Sequence, residues 1–180
     1  MSIAARTELP TGTWNVDPTH SRVEFSVKNL GIATVRGAFN EFEGTLDLES
    51  GRCHGTVKVA SVDTNDEGRD AHLRSADFFV ADEHPELSFE STSIRPVDED
   101  TFEIEGRLTI RGVTNPVVLT AELQGSETDP WGNERIALEV TGKLDRSDWG
   151  MTFNQVLGSG NMLVSDRVKL QLDISAIKQA

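Results

Sequence analysis

Apolar and polar residues alternate along most of this chain with a period of two, which is typical of β-strands that bury one face. In residues 102–110 the even-numbered positions are apolar or glycine, and the odd-numbered positions are polar. The same alternation occurs in residues 21–27, 117–123, 136–144 and 168–174. The pattern therefore predicts five strands that each have one buried and one solvated face.

Three further segments have strand-like composition but less regular faces, namely residues 37–48, 55–62 and 87–96. The apolar positions change parity inside the first and the third of these segments, which predicts a bend or a β-bulge in each. Together with the five regular segments, they make a total of eight predicted strands.

The connections between the predicted strands are short and polar, as in residues 98–100, 111–116 and 129–133. Links of this kind join antiparallel neighbours. Eight antiparallel strands with one wet face either stack as two sheets or close on themselves, and long sequential hairpins favour closure because it removes exposed edges. The predicted fold is thus all-β, an eight-stranded antiparallel barrel, with a two-sheet sandwich as the alternative.

One helix interrupts the strands, running from Asp66 to Ala76. Thr64 and Glu67 have the spacing of a capping box, and acidic residues occupy the first turn. The segment is mostly polar and leads directly into the aromatic pair Phe78 and Phe79. We expect a surface helix that lies over one end of the barrel.

Composition narrows the possible partners. Lys and Arg number 17 against 30 Asp and Glu, which gives a formal net charge of −13. Such a balance argues against nucleic acid as a partner, because nucleic-acid binding needs clustered positive charge. We expect residues 1–11 to be a disordered or extended segment and residues 12–177 to form a single domain. No run of residues has the length of a transmembrane segment or a secretory signal, which predicts a cytoplasmic protein.

Candidate catalytic and metal-binding residues are sparse. Cys53 is the only cysteine, so a disulfide or a CxxC pair within the chain is impossible, and a small core residue is expected. Residues 17–21 bring an acid, a histidine and hydroxyl groups together, but a turn before a strand explains them equally well. The four histidines lack the spacing of metal ligands. We expect no metal and no catalysis, and an enzyme using His20, Asp70 and His72 remains the alternative.

The interior of an eight-stranded barrel is either filled by side chains or holds one small ligand. Gly106, Ala121 and Gly142 share the inward register with several large residues. These small residues predict an elongated apolar void that accepts an apolar guest. In the alternative interpretation the interior is packed and the protein, as a stress-related barrel, acts through its surface.

Several motifs resemble those of one family in order and spacing. They are found in residues 17–28, 35–39, 70–79, 84–89, 106–117 and 145–151. Over about residues 12–177 the chain resembles the YceI-like domains. The resemblance implies a lipocalin-like, eight-stranded barrel whose tunnel holds a long isoprenoid chain such as a polyprenyl or quinone tail.

The resemblance also implies a bacterial carrier or storage protein, often a homodimer and in many members exported, with a lipid ligand and no other cofactor. The early strand of the family usually reads Val-Lys-His, whereas this chain has Asn29 after Val27 and Lys28. If that histidine orients a ligand head group, the preference for the head group differs here.

The expected ligand contacts are the inward apolar residues and the aromatic residues near the mouth, where residues 150–164 would form a cover. They are Phe25, Val27, Phe42, Leu46, Val57, Val59, Phe78, Phe89, Ile104, Leu108, Leu119, Ile136, Leu138, Val140, Trp149 and Leu170.

Overall fold

The computed structural model describes residues 9–159 and 162–179, so the predicted N-terminal segment lies mostly outside the described residues. One helix and eleven strands follow in chain order. They are β1 (Trp14–Val16), β2 (Arg22–Asn29), β3 (Ala33–Phe39), β4 (Phe42–Asp47), β5 (Arg52–Lys58), β6 (Val62–Asp63), α1 (Glu67–Arg74), β7 (Glu86–Pro96), β8 (Thr101–Ile110), β9 (Val113–Thr128), β10 (Glu134–Asp145) and β11 (Val164–Lys178).

The eleven strands correspond to eight longer ones, because three of these are interrupted. A short 3-10 turn at Pro18–His20 separates β1 from β2, and another at Val59–Ser61 separates β5 from β6. The chain bends between β3 and β4, inside the segment where the parity of apolar residues changes. The register of β7 against β8 shifts between Ser91 and Ser93, which confirms the predicted bulge.

The strands close into an antiparallel barrel. Neighbouring strands pair in the order β1, β4, β5, β7, β8, β9, β10 and β11, and β11 pairs again with β1. Strand β11 is long enough to pair with β1 near its C-terminus, where Val16 faces Ala176, and with β2 further back, where Val23 faces Leu172. The predicted eight-stranded barrel is confirmed, and the sandwich alternative is wrong.

Helix α1 begins later than the capping-box spacing predicts. Asp66 is the N-cap, and its carboxylate accepts a hydrogen bond of 2.9 Å from the backbone N–H of Arg69. Thr64 instead donates its hydroxyl hydrogen to Asp70 over 2.6 Å, in a buried contact that a left-handed turn at Asn65 allows. The prediction of Thr64 as the cap is therefore wrong, since this side chain ties the helix to β6.

The buried apolar residues form two clusters at opposite ends of the barrel. We call the end with the β4–β5, β7–β8 and β9–β10 hairpins the closed end, and the other the mouth end. The cluster at the closed end includes Trp14, Leu48 and the fully buried Phe102. At the mouth end the cluster includes Phe79 and Trp149, and helix α1 lies over this end.

A network of charged groups fastens the interruption between β1 and β2 to the β9–β10 hairpin. Arg135 donates to Asp129 over 2.8 Å and to Asp17 over 3.0 Å. Asp17 also accepts hydrogen bonds from Thr19, which with Arg135 hold the pKa of this carboxyl well below its usual range. The Arg135 guanidinium lowers the pKa of Asp129 to about 2. The residues 17–21 therefore serve the fold, because Thr19 and His20 both bind the same aspartate.

We predict that Arg135→Gln destabilises the fold at neutral pH and that its effect disappears in acid. Carboxyls whose pKa is lowered in the folded state stabilise it above their unfolded pKa of about 4, and this stabilisation is lost as the pH falls. The free energy of unfolding, measured with urea, should differ most from the parent at neutral pH and least near about pH 2. Arg167→Gln is the control, since its ion pair with Asp145 is solvent-exposed. Equal losses in the two variants would contradict the prediction.

Candidate functional site

A cavity of about 440 Å³ lies inside the barrel between the two apolar clusters, and its wall is almost entirely apolar. Thirteen of the sixteen predicted contact residues line it. They are Phe25, Val27, Phe42, Leu46, Val57, Phe78, Phe89, Ile104, Leu108, Leu119, Leu138, Val140 and Leu170. A packed interior is thus excluded, and the cavity has the size of a small-molecule site.

Three predicted residues do not line the cavity, because each is used in packing elsewhere. Ile136 belongs to the cluster at the closed end, and Val59 belongs to the cluster at the mouth end. Trp149 is 2% exposed and donates its indole N–H to the backbone carbonyl of Leu108 over 2.9 Å. Its ring therefore supports the wall of the barrel at the mouth end.

Neighbouring side chains fill the space beside the small residues that were predicted to leave the void. The ring of Phe89 lies over Gly106, and a side-chain methyl of Leu119 lies over Gly142. Ala121 is fully buried within the cluster at the closed end. None of these three small residues lines the cavity. The void is therefore not the space beside them, and Gly106 contributes to it only by accommodating the ring of Phe89.

The cavity exists because two phenylalanine rings lie flat against the wall. A Cβ atom added to Gly37 would be 2.4 Å from Cζ of Phe25, and one added to Gly106 would be 2.4 Å from Cζ of Phe89. These close approaches require glycine, and they keep both rings out of the centre of the barrel.

A second pair of glycines leaves bare backbone at the cavity wall. Gly44 and Gly55 face each other across β4 and β5, and both line the cavity. The atoms within 4 Å of a Cβ built on Gly55 are backbone atoms of Glu43 and Gly44. No side chain covers this glycine, so its backbone forms part of the cavity wall.

Sequence reasoning left out many lining residues that the period-two pattern contains. Val23, Val117, Leu144, Val168, Leu172 and Ile174 occupy inward positions of predicted strands and line the cavity. Their place in the alternating pattern was enough to predict that these side chains face inward. The polar lining residues Lys28, Asn29, Arg69, His72 and Arg146 carry no such signal, because the end of β2, helix α1 and a 3-10 turn place them.

Arg146 is a buried cation at the cavity wall, 4% exposed. Its guanidinium donates to the carbonyls of Met151 (2.7 Å), Ser165 (3.0 Å) and Val164 (3.2 Å), and it lies 5.9 Å from the ring centroid of Phe78. Burial lowers the pKa of Arg146 from its ordinary value. Three carbonyls from both ends of one loop meet on this side chain, so Arg146 shapes the cover of the cavity.

His72 places helix α1 against the same cover. Its ring stands edge to face against Phe78 and Phe153, with centroids at 5.0 and 4.8 Å, and Nε2 lies 2.8 Å from a carboxylate oxygen of Asp77. His72 and Arg146 thus place hydrogen-bonding groups at the mouth end of a cavity whose wall is almost entirely apolar.

The three residues of the alternative hypothesis, an enzyme, each form a hydrogen bond with another side chain. His20 binds Asp17, His72 binds Asp77, and Asp70 binds Thr64. Within residues 9–159 and 162–179, no group of three or more His, Cys, Asp or Glu side chains is arranged to hold a metal ion. Helices long and apolar enough to cross a membrane are also absent from this part of the chain.

Cys53 lies in the wall of the cavity and is 5% exposed, which confirms the prediction of a small core residue. Burial raises the pKa of its thiol to about 11. Because the thiolate is the reactive form of cysteine, this side chain is inert at neutral pH.

Comparison with known proteins agrees with the barrel fold. Over 165 residues the chain is 37% identical to a UPF0312 protein of Pectobacterium atrosepticum, covering 89% of this chain and 82% of that protein. The crystal structure of the Campylobacter jejuni YCEI protein matches with a TM-score of 0.74 and 30% identity, covering 85% of this chain and 90% of that one. A domain from Saccharophagus degradans, described as polyisoprenoid-binding, shares the fold with a TM-score of 0.72 and 16% identity, covering 92% and 98%. The family model of the YceI-like domain matches residues 14–176, and the chain belongs to the YceI-like family.

Proposed function

We propose that this protein binds a long-chain isoprenoid lipid, of the quinone or polyprenyl type, and acts as its carrier or store rather than as an enzyme. The observation that carries the proposal is the apolar cavity of about 440 Å³ inside the closed barrel. Its wall offers large contact area and few polar atoms, which suits a hydrocarbon chain and disfavours a polar metabolite.

The size of the cavity limits how much of such a chain it encloses. An apolar cavity of about 150 Å³ stays dry and binds benzene, so this cavity holds about three times as much, or roughly 18 carbon atoms. That amount corresponds to between three and four isoprene units of five carbons. A longer tail would extend beyond the mouth. Each Å² of apolar surface that the ligand buries contributes about 25 cal/mol, which makes tight binding attainable without polar contacts to the tail.

The polar groups at the mouth end suit a head group that bears oxygen. Asn29 and Arg146 both line the cavity and both carry N–H donors. Asn29 replaces the histidine that is usual in the family, so this position keeps a donor and loses a group that titrates near neutral pH. An amide at this position can donate a hydrogen bond to a carbonyl oxygen. It can also donate a hydrogen bond to a hydroxyl group or accept one from it.

The relatives give independent support for the ligand class. The Saccharophagus degradans domain with the same fold is described as polyisoprenoid-binding. In this chain the fold encloses a cavity of the kind that such a ligand needs, with apolar residues from all parts of the barrel at its wall.

We predict that Leu108→Glu weakens the binding of geranylgeraniol, a C20 isoprenoid alcohol, by at least about tenfold, because a carboxylate in an apolar cavity loses its hydration. Binding is measured by native mass spectrometry and by titration of the purified protein. Val118→Glu is the matched control, since Val118 lies on the neighbouring strand, is 52% exposed and does not line the cavity. Thermal melting identifies any variant that fails to fold. Equal affinity of the folded Leu108 and Val118 variants would overturn the proposal.

We also predict that Gly37→Ala shifts the preference of the cavity to shorter chains. The added methyl group would push the ring of Phe25 into the lumen, since Cζ of that ring is 2.4 Å from the Cβ position. The affinity for geranylgeraniol should fall several-fold more than the affinity for geraniol, its C10 analogue. Gly158→Ala adds the same methyl in open space and should leave both affinities unchanged. A uniform loss for both alcohols would show that the substitution damages the fold instead.

A further inference from the structure

Exposed apolar side chains are concentrated at the mouth end of the barrel. Within the described residues, eight large apolar side chains are exposed. Four of them lie on two adjacent turns: Leu30 (38%), Ile32 (81%), Val156 (63%) and Met162 (50%). We refer to these four residues as the mouth rim.

Hydrogen bonds join the two turns of the mouth rim into one surface beside the cavity. The backbone N–H of Leu30 donates to the carbonyl of Leu163 over 2.9 Å. Val156 and Met162 face each other in an isolated antiparallel bridge. Leu163 lines the cavity, so the mouth rim borders directly on its wall.

The chain around the mouth rim contains no charged residue, although 26% of the whole chain is Asp, Glu, Lys or Arg. Residues 149–165 form one run of this kind, and residues 29–35 form another. In a protein with a net charge of −13, these two uncharged stretches differ from helix α1 at the same end, which carries Glu67, Arg69, Asp70 and Arg74. The mouth rim itself is uncharged and apolar, so it matches an uncharged apolar phase rather than a charged partner.

The backbone at Leu30 adds a second reason to regard the mouth rim as functional. Leu30 and Gly31 have φ angles of +57° and +72° in the three-residue connection between Asn29 and Ala33, and a leucine with positive φ is uncommon. The β8–β9 turn also has positive φ angles, at Arg111 and Gly112, and there the first position is a charged residue that donates to the carbonyl of Gly150. The backbone hydrogen bond of Leu30 to Leu163 holds the turn but does not require leucine, so the fold does not explain an apolar side chain that is 38% exposed at this position.

We propose that the mouth rim docks on the surface of a lipid bilayer, so that the cavity opens toward the hydrocarbon in which an isoprenoid lipid dissolves. The inference rests on the proposed function, because a ligand of that class resides in membranes. A second copy of the chain is a poorer fit, since a stable protein interface uses about 20–30 residues on each side. The acidic net charge favours zwitterionic over anionic lipid.

The test uses vesicles of phosphatidylcholine that contain geranylgeraniol, with the whole protein and three variants. Ile32→Glu combined with Val156→Glu places charge on the mouth rim, and Val97→Glu places it on an exposed apolar residue at the closed end. Leu30→Asn puts a residue that tolerates positive φ into the turn. Co-flotation with the vesicles measures docking. The rate at which the alcohol moves from the vesicles to the protein measures transfer, and the affinity for the alcohol without vesicles reports on the cavity alone.

We expect the parent and Val97→Glu to float with the vesicles and to take up the alcohol at the same rate. The double variant should lose flotation and transfer at least tenfold more slowly, with its affinity in the absence of vesicles changed less than twofold. Leu30→Asn should raise Tm and yet weaken flotation, a combination that a purely structural role for Leu30 does not produce. Adding phosphatidylglycerol should weaken flotation of the parent.

Unchanged flotation and transfer of the double variant would overturn the docking proposal. It would also be overturned if light scattering showed a dimeric parent, a monomeric double variant and no flotation of either, since the mouth rim would then join two copies. Failure of every protein to bind the alcohol without vesicles would count against the proposed function, while flotation would still report on the mouth rim.

Discussion

The cavity depends on the contact between an aromatic ring and the glycine opposite to it on the next strand. An eight-stranded barrel has an interior that side chains can fill completely. Here Phe25 lies over Gly37 and Phe89 lies over Gly106, so two of the largest inward side chains occupy space at the wall rather than in the centre. The same contact closes the wall over glycine backbone and leaves the lumen open. Fold and cavity are therefore specified by the same residue pairs.

The mouth end is organised differently, around hydrogen bonds instead of close packing. The guanidinium of Arg146 gathers carbonyls of Met151, Val164 and Ser165, which lie at the two ends of one loop. Burial of an arginine costs free energy, and removing its partners would leave a buried charge without compensation. The loop is therefore held by a side chain that is itself stable only while the loop is in place. This mutual dependence gives the cover a defined position without making it part of the sheet.

Much of the fold could be predicted from the sequence, because strand periodicity reports directly which residues face inward. The alternation in residues 102–110 and 136–144 placed Leu108 and Leu138 correctly, and both line the cavity. The parity of a residue does not show what covers it, so the sequence alone does not reveal that Phe89 lies over Gly106 and Leu119 over Gly142.

The polar part of the site was harder to predict, for a physical reason. Arg146 follows the last residue of β10 in a short 3-10 turn, and its partners are backbone carbonyls, which every residue possesses. Sequence patterns identify side chains that pair with particular side chains far more readily than those that bind backbone. The prediction of Thr64 as a helix cap failed for a different reason, because its hydroxyl binds the side chain of Asp70, which lies three residues after the first residue of helix α1.

A cavity of limited length and an apolar mouth rim have a joint consequence for how a long tail is held. A chain longer than the roughly 18 carbon atoms that the cavity accommodates leaves part of its apolar surface outside, where exposure to water costs about 25 cal/mol per Å². When the mouth rim, which includes Ile32 and Val156, docks on a membrane, the emerging part of the tail can enter the hydrocarbon, and this lowers the cost. Because the excess tail is exposed to water in the free ligand as well, its length should leave retention in solution unchanged, whereas at a bilayer it should favour release, since the lipid buries that surface. Tail length would thus decide whether the protein holds its ligand or passes it on.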